Sequence, residues 1–257
     1  LVASIGEDGL GRYLQSELLA LDMDCSGVKM RPNFPTTIIT VAKTEGTPDF
    51  QAYRGADAQI LPDQLSPEFL EQAEVFHTTC FALSKNPAQK SIMDAAKIAA
   101  DHACQLSIDI NYAPEIWANR EEAQEVIATY CSYGALVKLS SDDWERTYQR
   151  PDDSIEEIIA FIHDLGAKEV CLTLGSKGVY VSNGAELVFV AAKKIEVADA
   201  TGAGDAFWSG YLTAWLDGRS PKECALFGRS IAEIKLKHVG PLTETIDREL
   251  IYQQISE

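Results

Sequence analysis

From about residue 75 onward, short apolar, β-branched runs alternate with stretches whose apolar positions recur every three or four residues. The runs are Val75–Leu83, Leu106–Ile110, Ala135–Leu139 and Val170–Leu174. Between them, Ile92, Ala96, Ala99 and Ala103 recur at steps of four and three, as do Ile155, Ile158, Ile162 and Leu165. Each set predicts the buried face of one helix. Strands that alternate with helices predict βαβ units, hence an α/β domain with a mainly parallel sheet and right-handed crossovers. Ligands of such sheets gather at the carboxyl ends of the strands, so the polar residues just beyond each run are the ones to inspect.

Residues 36–57 break this alternation. Thr36 to Val41 reads as a β-branched strand, Glu45-Gly46-Thr47-Pro48-Asp49 supplies turn chemistry, and Phe50 to Arg54 returns as a second strand. The segment divides the chain into a core of 1–35 with 58–257 and a small β-hairpin insertion at 36–57. Such an insertion fits a lid that excludes water from a reaction, and it equally fits an ordinary edge hairpin. The opening Leu-Val-Ala-Ser-Ile-Gly reads like the middle of a βα unit, so a further N-terminal strand is expected upstream of it.

Composition narrows the classes. A chain of 257 residues, 46% apolar, suits one large α/β domain with a small appendage. The net charge of −17 argues against nucleic acid and anionic membrane as partners, because both need basic patches. No apolar run approaches the roughly 18 residues of a membrane span. Six cysteines without regular spacing, several within apolar runs, predict reduced thiols and a cytoplasmic setting. The four histidines show no metal-ligand spacing.

The densest chemistry lies at Asp199-Ala200-Thr201-Gly202-Ala203-Gly204-Asp205, ahead of a helix predicted from Ala206 to Leu216 and ending before Gly218. A bare turn that opens a helix offers unpaired amides and the positive end of the helix dipole to an anion. Asp205 beside it can accept a proton from a hydroxyl undergoing phosphorylation; it is also a residue type that caps helices for structural reasons alone. After the run Val170–Leu174 come Gly175, Ser176, Lys177 and Gly178, which fit either a phosphate loop or a tight turn into a strand at Val179–Ser182. After Ala135–Leu139 come Ser140, Ser141, Asp142 and Asp143, which suit a hydrated Mg²⁺ and also suit a helix N-cap. Asp109 and Asn111 share one strand face. No G-x-x-x-x-G-K-[ST], G-x-G-x-x-G, G-x-S-x-G or H-E-x-x-H occurs.

The segment from Asp199 through Gly210 resembles the C-terminal signature of the ribokinase-like (PfkB) carbohydrate kinases, with Ala200 where threonine is common. Ile5-Gly6-Glu7-Asp8-Gly9-Leu10-Gly11 resembles the family's I-G-x-D-x-x-G. Thr173 to Gly178 resembles its T-x-G-x-x-G nucleotide loop. Asp109-Ile110-Asn111-Tyr112 with Trp117 is similar to a segment of fructokinases and 2-keto-3-deoxygluconate kinases. The resemblance covers nearly the whole chain and implies a ribokinase-like, doubly wound fold. It implies ATP and Mg²⁺ as cofactors, with a monovalent cation such as K⁺ near the turn.

Residue by residue, the resemblance makes Asp205 the base and the amides of Gly202, Ala203 and Gly204 the anion hole. It makes Thr173, Gly175, Ser176, Lys177, Gly178 and Ser140 nucleotide contacts and Asp143 the Mg²⁺ site. Arg54 and Asn111 become sugar contacts. Ala113 stands where an arginine is usual, and Arg229 where relatives place an asparagine near adenine. The lid octapeptide Phe50–Asp57 resembles that of fructokinases and points to fructose or a similar ketohexose. A 2-keto-3-deoxygluconate kinase and a non-catalytic sugar- or nucleotide-sensing relative are the alternatives, and a homodimer through the lid is a further expectation.

Overall fold

The computed structural model describes residues 1–42, 49–242 and 245–256, so most of the expected turn at Glu45–Asp49 lies outside the described residues. The chain divides into two compact units, Leu1–Ala135 with Arg146–Gln149, and Leu136–Glu145 with Arg150–Glu257.

In the first unit the order is β1 (Val2–Gly6), α1 (Gly9–Ala20), β2 (Gly27–Arg31), β3 (Ile38–Ala42), β4 (Asp49–Tyr53), α2 (Pro67–Leu70), β5 (Val75–Thr79), α3 (Ala88–Asp101), β6 (Gln105–Ile110) and α4 (Arg120–Cys131). β1 pairs with β2 in parallel, as β5 does with β6. β3 and β4 form the antiparallel hairpin, with Ile38 opposite Tyr53. α3 buries Ile92, Ala96 and Ala99 as the periodicity predicts. Ala103 departs from that face. The helix stops at Asp101, and Ala103 turns at φ 59° so that its amide reaches Ala100 O and the Cys104 amide reaches Ala99 O. This pair of hydrogen bonds satisfies the last carbonyls while the chain reverses into β6.

The second unit continues with β7 (Leu136–Ser140), α5 (Ser141–Tyr148, whose last turn belongs to the first unit), α6 (Ile155–Asp164), β8 (Glu169–Thr173), β9 (Gly178–Ser182), β10 (Leu187–Ala191), α7 (Ala203–Leu216), α8 (Pro221–Leu236) and α9 (Arg248–Ser256). β7 and β8 are parallel, as the alternation predicts, while β8–β9 and β9–β10 are antiparallel, so the parallel strands continue into an antiparallel edge. The reason is chain length. The short segment between Thr173 and Gly178 can close a hairpin, whereas a parallel return needs about a dozen residues.

The core of this unit joins Cys171 and Val181 of the sheet to Phe207, Trp208, Tyr211 and Ala214 of α7 and Phe227 and Ile231 of α8. α7 and α8 approach closely because Gly210 faces Gly228. A β-carbon on Gly228 would fall 2.6 Å from the Phe207 carbonyl oxygen. Beneath α7, the buried Glu169 carboxylate accepts from the Tyr211 hydroxyl and from the Trp215 ring nitrogen at 3.0 Å. Burial and the neighbouring acid push the Tyr211 hydroxyl far up, so it stays a donor.

Candidate active site

Gly202 precedes α7 in the left-handed region, at φ 76° and ψ 8°, and the Asp199 carboxylate accepts from the Thr201 amide at 2.9 Å. The Ala203 amide is turned inward to Ala200 O at 3.2 Å, closing the turn on itself. The Gly204 amide lies one residue deeper in the first helical turn, where amides have no intrahelical acceptor. Asp205 is exposed in that same turn, and its Oδ2 lies 3.8 Å from where a Gly202 β-carbon would stand, so the carboxylate folds back over the glycines. An anion-receptive helix end and an accessible acid therefore share one turn of backbone.

The carboxyl ends of β7 and β8 meet at this place. Ser140 and Thr173 are register partners, and Thr173 Oγ1 donates to Leu139 O at 3.3 Å. Lys138, two residues before Ser140 and only 6% exposed, carries its Nζ to within 3.0 Å of where a Gly204 β-carbon would sit. That distance fixes the start of α7 beside the end of β7. Beyond Thr173, Gly175, Ser176 and Lys177 form one exposed 3-10 turn. Gly178 closes it at φ 131°, with the Leu174 amide donating to Gly178 O at 2.8 Å. A β-carbon on Gly178 would fall 2.2 Å from Val190 O, so only glycine lets β10 pass this close.

The sugar-side candidates belong to the first unit. The Arg54 guanidinium lies over the Phe81 ring, 4.1 Å from its centroid. Its Nε is 2.5 Å from Asp57 Oδ2 and its Nη1 donates to Ser84 Oγ at 2.8 Å. Asp57 is itself held by the Thr37 hydroxyl. Among the described residues, Arg54 Nη2 is buried without a hydrogen-bond partner. Asn111 Oδ1 accepts from the Phe81 amide at 3.2 Å, so Asn111 and Arg54 both converge on Phe81, one at its backbone and the other at its ring.

A model of the pfkB family carbohydrate kinases matches residues 1–247. The chain belongs to that family. It is similar to an ATP-dependent 6-phosphofructokinase of Thermoanaerobacterium thermosaccharolyticum, 30% identical over 98% of this chain and 77% of the relative. It is also similar to the fructokinase of Halothermothrix orenii, 30% identical with a TM-score of 0.75 over 94% of this chain and 82% of that one. The fructokinase of Xylella fastidiosa with bound ATP shares the fold, with a TM-score of 0.87 at 19% identity over 100% of this chain and 85% of that one. The protein is an α/β phosphotransferase whose acceptor is a sugar hydroxyl.

Several residues of the kinase do structural work that the motifs did not reveal. Asp8 accepts from the Gly11 amide at 2.8 Å as the cap of α1, and from the Thr36 amide and hydroxyl at 2.7 Å each. The Gly6 amide donates to the same Thr36 hydroxyl at 2.9 Å. The Ile5–Gly11 motif is thus a latch that pins the start of the hairpin. These bonds, led by the Thr36 amide, hold the Asp8 carboxyl down at about 2. Asp143 Oδ2 accepts from the Ser140 amide at 2.8 Å and hydroxyl at 2.6 Å, while the Asp143 amide donates back to Ser140 Oγ at 3.0 Å. That is a capping box for α5.

The departures from the family pattern also find places. Ala113 is buried, and its carbonyl anchors the turn to Trp117, whose ring nitrogen donates to Cys80 O at 3.1 Å. Arg229 donates to Ala191 O at 3.1 Å and meets Glu233 at 3.2 Å, bracing α8 against the end of β10. Lys138 was missed by sequence reasoning, although a lone lysine inside the apolar run Ala135–Leu139 was its available signal.

Proposed function

We propose that the kinase transfers the terminal phosphoryl group of ATP to a hydroxyl of fructose or a similar ketohexose, with Asp205 as the base. The observation that carries this reading is the Asp205 carboxylate folded over the Gly202–Gly204 turn at the start of α7. A hydroxyl placed there loses its proton to Asp205 while the helix end receives the negative charge of the transferred group. Gly202 and Gly204 frame the anion turn, with the Ala203 amide committed to closing it rather than to the anion, and Lys138 adds a cation beside it. Thr173, Gly175, Ser176, Lys177 and Gly178 form the nucleotide side, with Ser140 next to Thr173.

Mg²⁺ fits this arrangement as a companion of the nucleotide. Among the described residues no cluster of three His, Cys, Asp or Glu side chains is placed to hold a metal. One oxygen of Asp143 is committed to capping α5, so the ion would be carried by the phosphates and their waters, with Asp143 acting through water. When bound, Mg²⁺ neutralises charge on the phosphates.

On the sugar side, Asp57 neutralises Arg54, which favours an uncharged acceptor, and the buried Nη2 supplies a donor for a sugar hydroxyl. The retained acid at Asp205 disfavours a purely sensing protein. Release of ADP measured with fructose, fructose 6-phosphate and 2-keto-3-deoxygluconate tests the assignment. Fructose should give the highest kcat/KM, and a clear preference for either anion would replace the ketohexose reading.

A cytoplasmic setting fits the six free thiols, five of them buried. Among the described residues no helix is long and apolar enough to cross a membrane. A homodimer through the hairpin is supported by the exposure of Ile38, Ile39, Val41 and Tyr53, at 45%, 45%, 52% and 61%. Gel filtration that gives only monomer at micromolar concentration would remove this element.

A further inference from the structure

A second buried lysine borders the anion turn, at Gly202 where Lys138 stands at Gly204. Lys235, near the end of α8, is 7% exposed, and its Cε lies 3.7 Å from where a Gly202 β-carbon would stand. Its Nζ is 3.7 Å from Asp199 Oδ2 and donates to the His238 carbonyl at 3.2 Å. The backbone builds this place deliberately, because the amides of Ala198 and Asp199 both donate to Leu236 O, at 2.8 and 3.3 Å. The segment entering the turn is therefore stitched to the end of α8. Asp199 is held below the usual carboxylate range by the Thr201 amide and hydroxyl, with the Gly240 amide and the Lys235 ammonium contributing.

A carboxylate, the His238 carbonyl and the negative end of a helix dipole thus surround one point of positive charge. Those are the donors a weakly hydrated monovalent cation would need beside this turn. The residues do not fit a free ion, because an ammonium already lies among these oxygens, covalently tethered and of the same charge.

We propose that the Lys235 ammonium is the resident cation of the anion turn, so that phosphoryl transfer in this kinase runs without K⁺. The role assigned to the turn rests on the phosphoryl-transfer reading above; the occupancy of the oxygen cluster does not. Asp199 and the His238 carbonyl hold the cation, and the cation in turn fixes the Asp199–Gly202 backbone from which α7 begins.

The test compares KCl with choline chloride at equal ionic strength, reading both thermal unfolding and ADP release. The wild-type protein should show the same Tm and the same turnover in both salts. Lys235→Ala, which opens the oxygen cluster, should gain a K⁺-specific rise in Tm. Its turnover in choline chloride should fall by roughly 10²-fold, as for loss of one oxyanion donor, and should recover in part with KCl or ammonium chloride. Lys235→Arg should stay indifferent to K⁺. If Lys235→Ala does not fold, Lys235→Gln takes its place, with the same expected gain in K⁺ response.

A wild-type protein whose Tm or turnover rises specifically with K⁺ overturns the proposal, as does a folded Lys235 variant with no K⁺ response in either reading. Absence of ADP release from every sugar, with the Tm responses as expected, would instead sink the kinase mechanism and leave the cation assignment standing.

Discussion

The Lys138 ammonium nitrogen stands 3.0 Å from the point where a β-carbon on Gly204 would sit. A strand residue and a helix residue far apart in sequence thereby set how the phosphoryl-receiving turn meets the end of β7. Gly204→Ala must push the ammonium aside. The group displaced is the end of a flexible chain, so stability should fall by no more than about 1 kcal/mol. Turnover should fall much further, by roughly tenfold or more, because small displacements of a positioned charge are costly in rate. Urea unfolding and steady-state kinetics on the same preparation separate the two effects.

Asp205→Asn keeps the shape of the turn and removes the base. Nucleotide affinity by calorimetry should be largely unchanged, while kcat falls by roughly 10²–10⁴. Near-normal turnover in this variant would remove Asp205 from the mechanism.

Gly228→Ala tests packing far from the chemistry. The added carbon would meet the Phe207 carbonyl oxygen at 2.6 Å, a backbone atom that cannot move without shifting α7. A loss of about 1–3 kcal/mol is expected in urea unfolding, as for other overpacked cores. An unchanged midpoint would mean that the two helices are less tightly set than described.

The latch at Asp8 predicts an acid limb. Its carboxyl is depressed from 3.8 to about 2 in the folded protein, so its contribution is complete above pH 3.8 and is lost as the pH falls through about 2. Asp8→Asn should lower stability at neutral pH and flatten the dependence between those two values. Urea midpoints measured across this range provide the check; parallel curves for the two proteins would show that the latch is not ionic.

What could be read in the sequence was what is local. Gly202, Ala203, Gly204 and Asp205 are neighbours in the chain, so their turn, the helix after it and the acid within it were all legible from composition and spacing. The helix faces at Ile92–Ala99 and Ile158–Ile162 were legible because burial repeats with the helix period. Lys138 and Lys235 were not, since their approach to Gly204 and Gly202 exists only once β7 and α8 are packed. Ser140 and Asp143 show the converse. Their residue types allow either metal chemistry or capping, and only the reciprocal bonds between them reveal that one Asp143 oxygen is engaged in holding α5. Ala103 fell outside its predicted face because periodicity carries no information about where a helix must reverse.

The Glu169 carboxylate grips Tyr211 and Trp215, two residues one turn apart on the same side of α7. A helix held at two such points cannot rotate about its own axis without breaking one of them. The bearing of Asp205 at the front of α7 is therefore set from the rear of the helix, at the opposite end of strand β8 from Thr173. A kinetic defect without any change at the turn itself is what loosening that grip would produce: a base intact in chemistry and wrong in aim.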